Sequence, residues 1–564
     1  MISHNAKALV RCAALVFAVG ALTACGGGGG DTGTSTPTPQ PPTNPPPTGD
    51  TVVSGKITFD RVPHNANNGL NYAGITQDPA RGVTVEILNA ADAILASDTT
   101  DENGDYSMTV GQGQDVRLRV RAELLASGTP AWDFSVVDNT AADALYVIEG
   151  PSQLTDGDTQ TRNLLAESGW GGSAYTTDRA AGPFAILDSV YDAVSKVIAE
   201  DASIVFPPLT IHWSENNRPQ DGNPSDGDIV TSFYTRDAQG NSEIFLLGAA
   251  NQDTDEYDTH VVIHEWGHYF EDRFSRSDSV GGPHSGGDRL DLRVAFSEGF
   301  GYALAGMVTD NPITRDSGGA NQASGFQIDV EDDNPGTNFS GNLNPGWYSE
   351  GSVQLILYDI YDSNSDGIDS VSLGFGPILD TLRGSFATDT AVASIFSFVE
   401  ALQANQAASA SAIDDLLEAK DIVGSGNDRY GSTETNNAGN ANDVLPVFTS
   451  IATDGTPQTV CSIGGTGFGQ FGEFNKLSNR RLLRFNVTTP GRYRMAVTGA
   501  QDPDIVLFQG DFLAVAQTAG NDAIERDLSA GEHVLEVYDY ANLRPDDAPH
   551  AAGRYCLTVT VSAI

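Results

Sequence analysis

The chain has 564 residues, with 75 acidic side chains against 30 basic ones, five of them lysine, and a formal charge of −45. Such a surface repels nucleic acid and anionic lipid, which sets both aside as partners, and otherwise reads as a solvated acidic coat. The length exceeds what one ordinary core serves, so roughly three or four domains are expected.

Residues 1–25 carry Lys7 and Arg11, an apolar run from Cys12 to Leu22, and then Leu22-Thr23-Ala24-Cys25. The layout is that of a signal peptide, too short to span a membrane. Its last four residues resemble the bacterial lipobox, which implies cleavage before Cys25, lipidation of that cysteine and a lipid anchor to the membrane. Gly26 in place of Asp at the next position implies the outer membrane; an ordinary cleaved signal is the alternative. Residues 26–50 are five glycines and a Thr/Pro tract with seven prolines, a tether that cannot bury a core.

Residues 51–160 read as strands that alternate at period two. Val83, Val85 and Ile87 share one face, as do Val116, Leu118 and Val120, and Asn103-Gly104 marks a turn. The pattern resembles the small prealbumin-like sandwich of carboxypeptidase regulatory domains and carries no catalytic set.

From residue 161 the character changes. Phe184, Leu187, Val190, Tyr191, Val194, Val197 and Ile198 predict an amphipathic helix with Pro183 in its first turn. The segments LTIHWS and EIFLLGA read as strands, with His212 structural.

The stretch DTHVVIHEWGHYFEDR, 258–273, holds a His-Glu-x-x-His pattern at His264, Glu265 and His268. Four residues apart on a helix, both histidines can turn one nitrogen to the same metal ion. Glu265 lies about 100° round the helix, within reach of an attacking water rather than of the metal. Asp258 is the expected N-cap, and Val262, Trp266, Phe270 and Phe274 form a second stripe that packs inward. A metzincin is excluded, because the positions for its Gly and third His hold Glu271 and Phe274.

Glu298 lies in RVAFSEGFGYALAGM, a run of small and apolar residues in which a carboxylate needs a partner, for which a metal ion serves. The stretch resembles the second zinc helix of the gluzincin metallopeptidases, the group containing thermolysin and fungalysin. That resemblance makes Glu298 the third ligand, and in gluzincins the strand before the first zinc helix, here Ile244–Gly248, is the edge on which substrate pairs. With 29 residues between His268 and Glu298, the likeness is to the group and not to one family within it. His284, among glycines, reads as a solvated loop histidine, with a substrate or second-metal contact as the alternative. His260, one turn before His264, is too far along the axis to join the same sphere.

The segment GWYSEGSVQLILYDIYD reads as a buried helix. In fungalysin-like enzymes a histidine three residues before a glycine in such a helix faces the oxyanion; counting back from Gly351 reaches Tyr348. Tyr348 is the candidate for transition-state stabilisation, with a core aromatic beside Trp347 as the alternative. Asp362, Asn364 and Asp366 match the first half of a calcium loop, but Leu373 stands where the bidentate Glu belongs, so either a partial Ca2+ site or an Asx-rich turn is expected. Helices are expected around 376–386, 391–405 and 411–422.

Residues 456–564 return to strands and resemble the bacterial pre-peptidase C-terminal domain, a jelly-roll of secreted peptidases. Cys461 and Cys556 flank it and are expected to pair in an oxidising envelope. The fold class expected is therefore multidomain: an α+β zincin-like catalytic domain over 161–450, flanked by two all-β sandwich domains. The function expected is Zn2+-dependent hydrolysis of a protein or peptide substrate at a cell surface or outside it. The alternative is an envelope display or adhesion protein with a structural or silent zinc site.

Overall fold

The computed structural model describes residues 49–332, 334, 344–364, 367–464, 474–544 and 547–564. Cys25 and Asp366 lie outside the described residues. The protein is multidomain and rich in strands, and no helix among the described residues is long and apolar enough to cross a membrane.

The N-terminal strands form as their alternation predicts. Val83, Val85 and Ile87 are buried, as are Val116, Leu118 and Val120, and Gly104 takes φ 77° in the turn that closes on Asp101. They do not form a separate module. Strand Trp132–Asp138 pairs in parallel with Leu209–Trp213, so one ten-stranded sheet runs from Ile94–Thr99 to Phe233–Arg236 across the boundary expected at 160. Apolar residues from Val53 to Leu543 then share one continuous core.

Helix α1 (Gly182–Glu200) starts with Pro183 in its first turn and packs on that sheet, burying Phe184, Leu187, Val190, Val194 and Val197. Strand Ser242–Leu246 lies between Leu209–Trp213 and Phe233–Arg236, with Phe233 opposite Phe245. This corrects the expected edge: the strand's backbone is paired on both sides over Ser242–Phe245, and the sheet ends one strand further out. His212 stacks on Phe245 at 4.2 Å and faces Asp143 and Glu243, a structural position.

Helix α2 (Thr259–Phe274) follows. Trp266 and Phe270 are wholly buried, and the chain of stacked rings continues to Phe274. Asp258 occupies the N-cap, yet its carboxylate makes no cap bond; Oδ2 accepts from the Ser317 amide at 2.7 Å and Oδ1 meets His64 Nε2 at 2.7 Å. Helix α3 (Leu292–Thr309) is capped by Asp291, which accepts from the Arg293 amide. Gly267 of α2 lies against Gly301 of α3, so two residues without side-chain bulk let the helices cross closely. A hairpin, Ile313–Gly318 with Ser324–Asp329, returns to the start of α2.

Helix α4 (Glu350–Tyr361) packs on α3, and α5 (Phe375–Arg383), α6 (Ile395–Asn405) and α7 (Ala410–Ala419) fall within or beside the three expected stretches. The last unit is two facing sheets. Strands Phe448–Ser450, Arg481–Val487, Gly531–Asp539, Pro503–Gln509 and Asp511–Ala516 form one; Gln458–Ser462, Tyr555–Ala563, Gly491–Thr498 and Asp522–Leu528 form the other. Leu483, Met495, Leu507, Leu535 and Val559 fill the space between them. Cys461 and Cys556 are cross-strand partners and form the expected disulfide.

Candidate metal centre

Helix periodicity puts His264 and His268 on the α2 face that meets α3, and the crossing brings Glu298 opposite them. His264 Nε2 lies 3.1 Å from His268 Nε2, and Glu298 Oε2 is 3.2 Å from the first and 3.4 Å from the second. Ligand atoms about 2.0–2.1 Å from one tetrahedral ion stand about 3.3 Å apart, so the three atoms already have the separation that zinc requires. All three residues are buried or nearly so, and Glu265, 7% exposed, lies beside them. Among the described residues the Glu265 carboxylate takes part in no hydrogen bond or ion pair.

A second layer holds these candidate ligands. Ser297 Oγ lies 3.2 Å from His268 Nδ1 and donates to Glu271 Oε2 at 2.6 Å. Glu271 is wholly buried and also bonds His268, so a carboxylate and a hydroxyl together orient that imidazole. Tyr302 packs edge-on to the His264 ring at 4.4 Å. Burial and the charges of Glu350 and Glu298 keep its phenol protonated. The signal for Glu271 in the sequence is its i+3 offset from His268, which places it one turn along the same face.

His284 is corrected by the structure. Its side chain is only 22% exposed, with Nε2 3.2 Å from Glu298 Oε2 and Nδ1 2.7 Å from Glu350 Oε2. The loop around it is held from afar. Asn475 Nδ2 donates to Gly281 O and Pro283 O at 3.0 Å each, and Lys476 Nζ donates to Pro283 O at 3.0 Å. Nothing within the loop's own sequence signals this, because the anchors come from almost two hundred residues later.

The electrostatics call for positive charge. Burial opposes protonation of His268 and His284, yet Glu298, with Glu271 on one side and Glu350 on the other, raises both well above the ordinary imidazole range. Burial would raise Glu298, but His284 and His268 hold it well below the usual carboxylate range. Two histidine nitrogens at 3.1 Å, aimed together at a carboxylate oxygen, suit a bound cation better than a chain of hydrogen bonds. The donor set fits a zinc ion.

The remaining candidates fall elsewhere. The Tyr348 hydroxyl is 3.0 Å from Asn436 Oδ1 and 3.3 Å from Pro345 O, and its ring meets Trp347 edge-on. That is the core position; its hydroxyl is committed to the 345–436 contact. His260 Nε2 turns to Asn311 O and Thr309 Oγ1, away from the centre, and burial pushes its pKa down to about 4. Asp362 gathers with Glu331 and Asp359, one oxygen of each within 4.8 Å of the others, and Asn364 Nδ2 donates to Glu331. The oxygen donors near Asp362 thus come partly from outside the expected loop. A cavity of about 810 Å3 opens between the end of α2 and the C-terminal sandwich, and its lining includes none of His264, His268 or Glu298.

No family model matches the chain, and no curated protein matches it. Among solved structures, the pre-peptidase C-terminal domain of a collagenase from Bacillus anthracis aligns at 18% identity over 20% of this chain and 92% of its own, with a TM-score of 0.15. PliG of Aeromonas hydrophila, a periplasmic inhibitor of g-type lysozyme, aligns at 12% identity over 20% of this chain and 96% of its own, with a TM-score of 0.14. A cycloisomaltooligosaccharide glucanotransferase of Paenibacillus sp. aligns at 10% identity over 90% of this chain and 72% of its own, with a TM-score of 0.12. Scores this low carry no argument about function.

Proposed function

We propose that the protein is a zinc-dependent endopeptidase of the gluzincin type, carried to the cell envelope by its leader and anchored through Cys25. The observation that carries this reading is the convergence of His264, His268 and Glu298 at 3.1–3.4 Å, with the unpartnered carboxylate of Glu265 beside them. A structural metal site has no use for such a base.

Zinc held by those three side chains would polarise the scissile carbonyl and lower the pKa of the attacking water. Glu265 removes the proton from that water as its oxygen adds to the carbonyl carbon, and returns it to the amine nitrogen as the carbon–nitrogen bond breaks. Glu271 and Ser297 keep the His268 ring turned so that Nε2 faces the centre. His284, turned by Glu350, and the protonated Tyr302 are the donors this site offers to charge that develops on the carbonyl oxygen.

The test is cleavage of an unfolded protein substrate by the full chain, as wild type, as Glu265→Gln and after zinc chelation. Activity in the wild type, lost on chelation, restored by zinc and lowered about 10²–10⁴-fold in Glu265→Gln with zinc still bound, supports the reading. Tightly bound zinc with no activity towards proteins or peptides would favour a display or adhesion protein, and no bound zinc would overturn the ligand set.

A further inference from the structure

The loop that leads into α2 buries a second group of potential ligands. One carboxylate oxygen from each of Asp253, Asp255 and Asp316 lies within 4.8 Å of the other two. Asp253 and Asp255 belong to the loop, and Asp316 to the hairpin strand Ile313–Gly318 that follows α3. The two segments are stitched together: Thr254 N donates to Ser317 O, Ser317 Oγ donates to Thr254 O at 3.2 Å, and Gly319 N donates to Gln252 O at 2.8 Å.

Asp255 is 2% exposed; its Oδ2 accepts from Ser232, and its Oδ1 has no hydrogen-bond partner. Asp253 Oδ1 is likewise buried without a partner. Among the described residues no Arg, Lys or His pairs with any of the three. The charged neighbours are committed elsewhere: Asp258 meets His64, and Glu256 meets Arg179 at 2.6 Å. Burial first, and then the charges of Asp258 and Glu256, push Asp253 up to about 6; burial first, and then the charges of Asp253 and Asp258, push Asp255 and Asp316 well above the carboxylate range. Three carboxyl groups packed together without a cation, one buried and two half-buried, lose hydration and repel one another as they ionise.

We propose that Asp253, Asp255 and Asp316 bind a calcium ion that ties the loop before α2 to the hairpin after α3. The donors are all oxygen, which selects a hard cation over zinc. Oxygen atoms that lie within 4.8 Å of one another can be bridged by one ion with bonds of about 2.3–2.6 Å, the calcium range. The site differs from the one expected at Asp362 and shares no residue with the zinc centre. Its effect is on the framework, because it joins the segment entering one ligand-bearing helix to the segment leaving the other.

The test uses the full chain with zinc present, stripped of calcium, and reads bound calcium by equilibrium dialysis and Tm by calorimetry. Wild type is expected to bind one more calcium per chain than Asp255→Asn/Asp316→Asn, and to show a calcium-dependent rise in Tm that this variant lacks. Asp362→Asn is expected to keep that rise. If the double variant does not fold, the single variant Asp253→Asn is expected to bind calcium more weakly by about tenfold or more. Equal calcium binding in wild type and variant, or a wild-type Tm indifferent to calcium, would overturn the proposal and leave a proton-sharing acid cluster.

Discussion

Arg293 Nη1 lies 2.7 Å from Glu536 Oε2, and each side chain is only 2% exposed. Arg293 is in the first turn of α3, five residues before Glu298, and Glu536 is in the central C-terminal strand Gly531–Asp539. A pair that buried joins the last sandwich directly to the helix that carries Glu298. Arg293 also meets Asp291 at 2.8 Å, and Glu536 also meets Arg480, so no charge in the group is left alone.

Truncating one partner strands a buried charge. Glu536→Ala is expected to cost about 3–5 kcal/mol in urea unfolding. The pH dependence has a definite sign. Burial would raise Glu536, but Arg293 and Arg480 hold it at about 2, below its unfolded value of about 4.3. Its contribution is complete above about 4.3 and is lost as pH falls from there towards 2. The stability gap between wild type and Glu536→Gln should therefore be widest near neutrality and narrow in acid, as unfolding curves at several pH values would show.

Glu271 tests the second layer. Glu271→Gln keeps the side-chain shape but removes the charge that holds the His268 ring, so zinc affinity should fall about 10–100-fold, as read by competition with a chelator. An unchanged affinity would mean that Ser297 alone orients the ring.

Gly301 tests the helix crossing. A Cβ there would stand 2.7 Å from Nδ1 and Cε1 of His264. Gly301→Ala is expected to displace the histidine, weaken zinc and cost about 1–3 kcal/mol by overpacking. Zinc content and Tm should fall together, whereas Gly374→Ala, at a helix cap with open space around it, should leave zinc untouched.

His284 is tested as an oxyanion donor, with Tyr348, whose hydroxyl is held in the core, as the control. His284→Asn should lower kcat by about 10²–10³-fold with little change in KM, the signature of a contact made in the transition state. Tyr348→Phe, which loses the hydroxyl contacts to Asn436 and Pro345, should leave kcat unchanged and reduce stability by about 1 kcal/mol. Steady-state kinetics of both variants on one peptide substrate check this.

The part of this protein legible in its sequence is the part that local geometry enforces. His264 and His268 share a face because a helix repeats every 3.6 residues, the aromatic stripe beside them packs inward for the same reason, and strands alternate at period two in both outer regions. The Cys461–Cys556 pair was legible because few other cysteines exist. Tertiary structure decided the rest. Asp258 occupies the expected cap position, but its carboxylate serves Ser317 and His64, since a buried charge takes the strongest donors in reach rather than the nearest in sequence. The strand Ser242–Leu246 gained a neighbour on each side, and the first sandwich merged its sheet with the next unit, because strand pairing is non-local. His284 reached the centre only because Asn475 and Lys476 hold its glycine-rich loop, and a loop without a local fold takes the conformation that distant packing imposes.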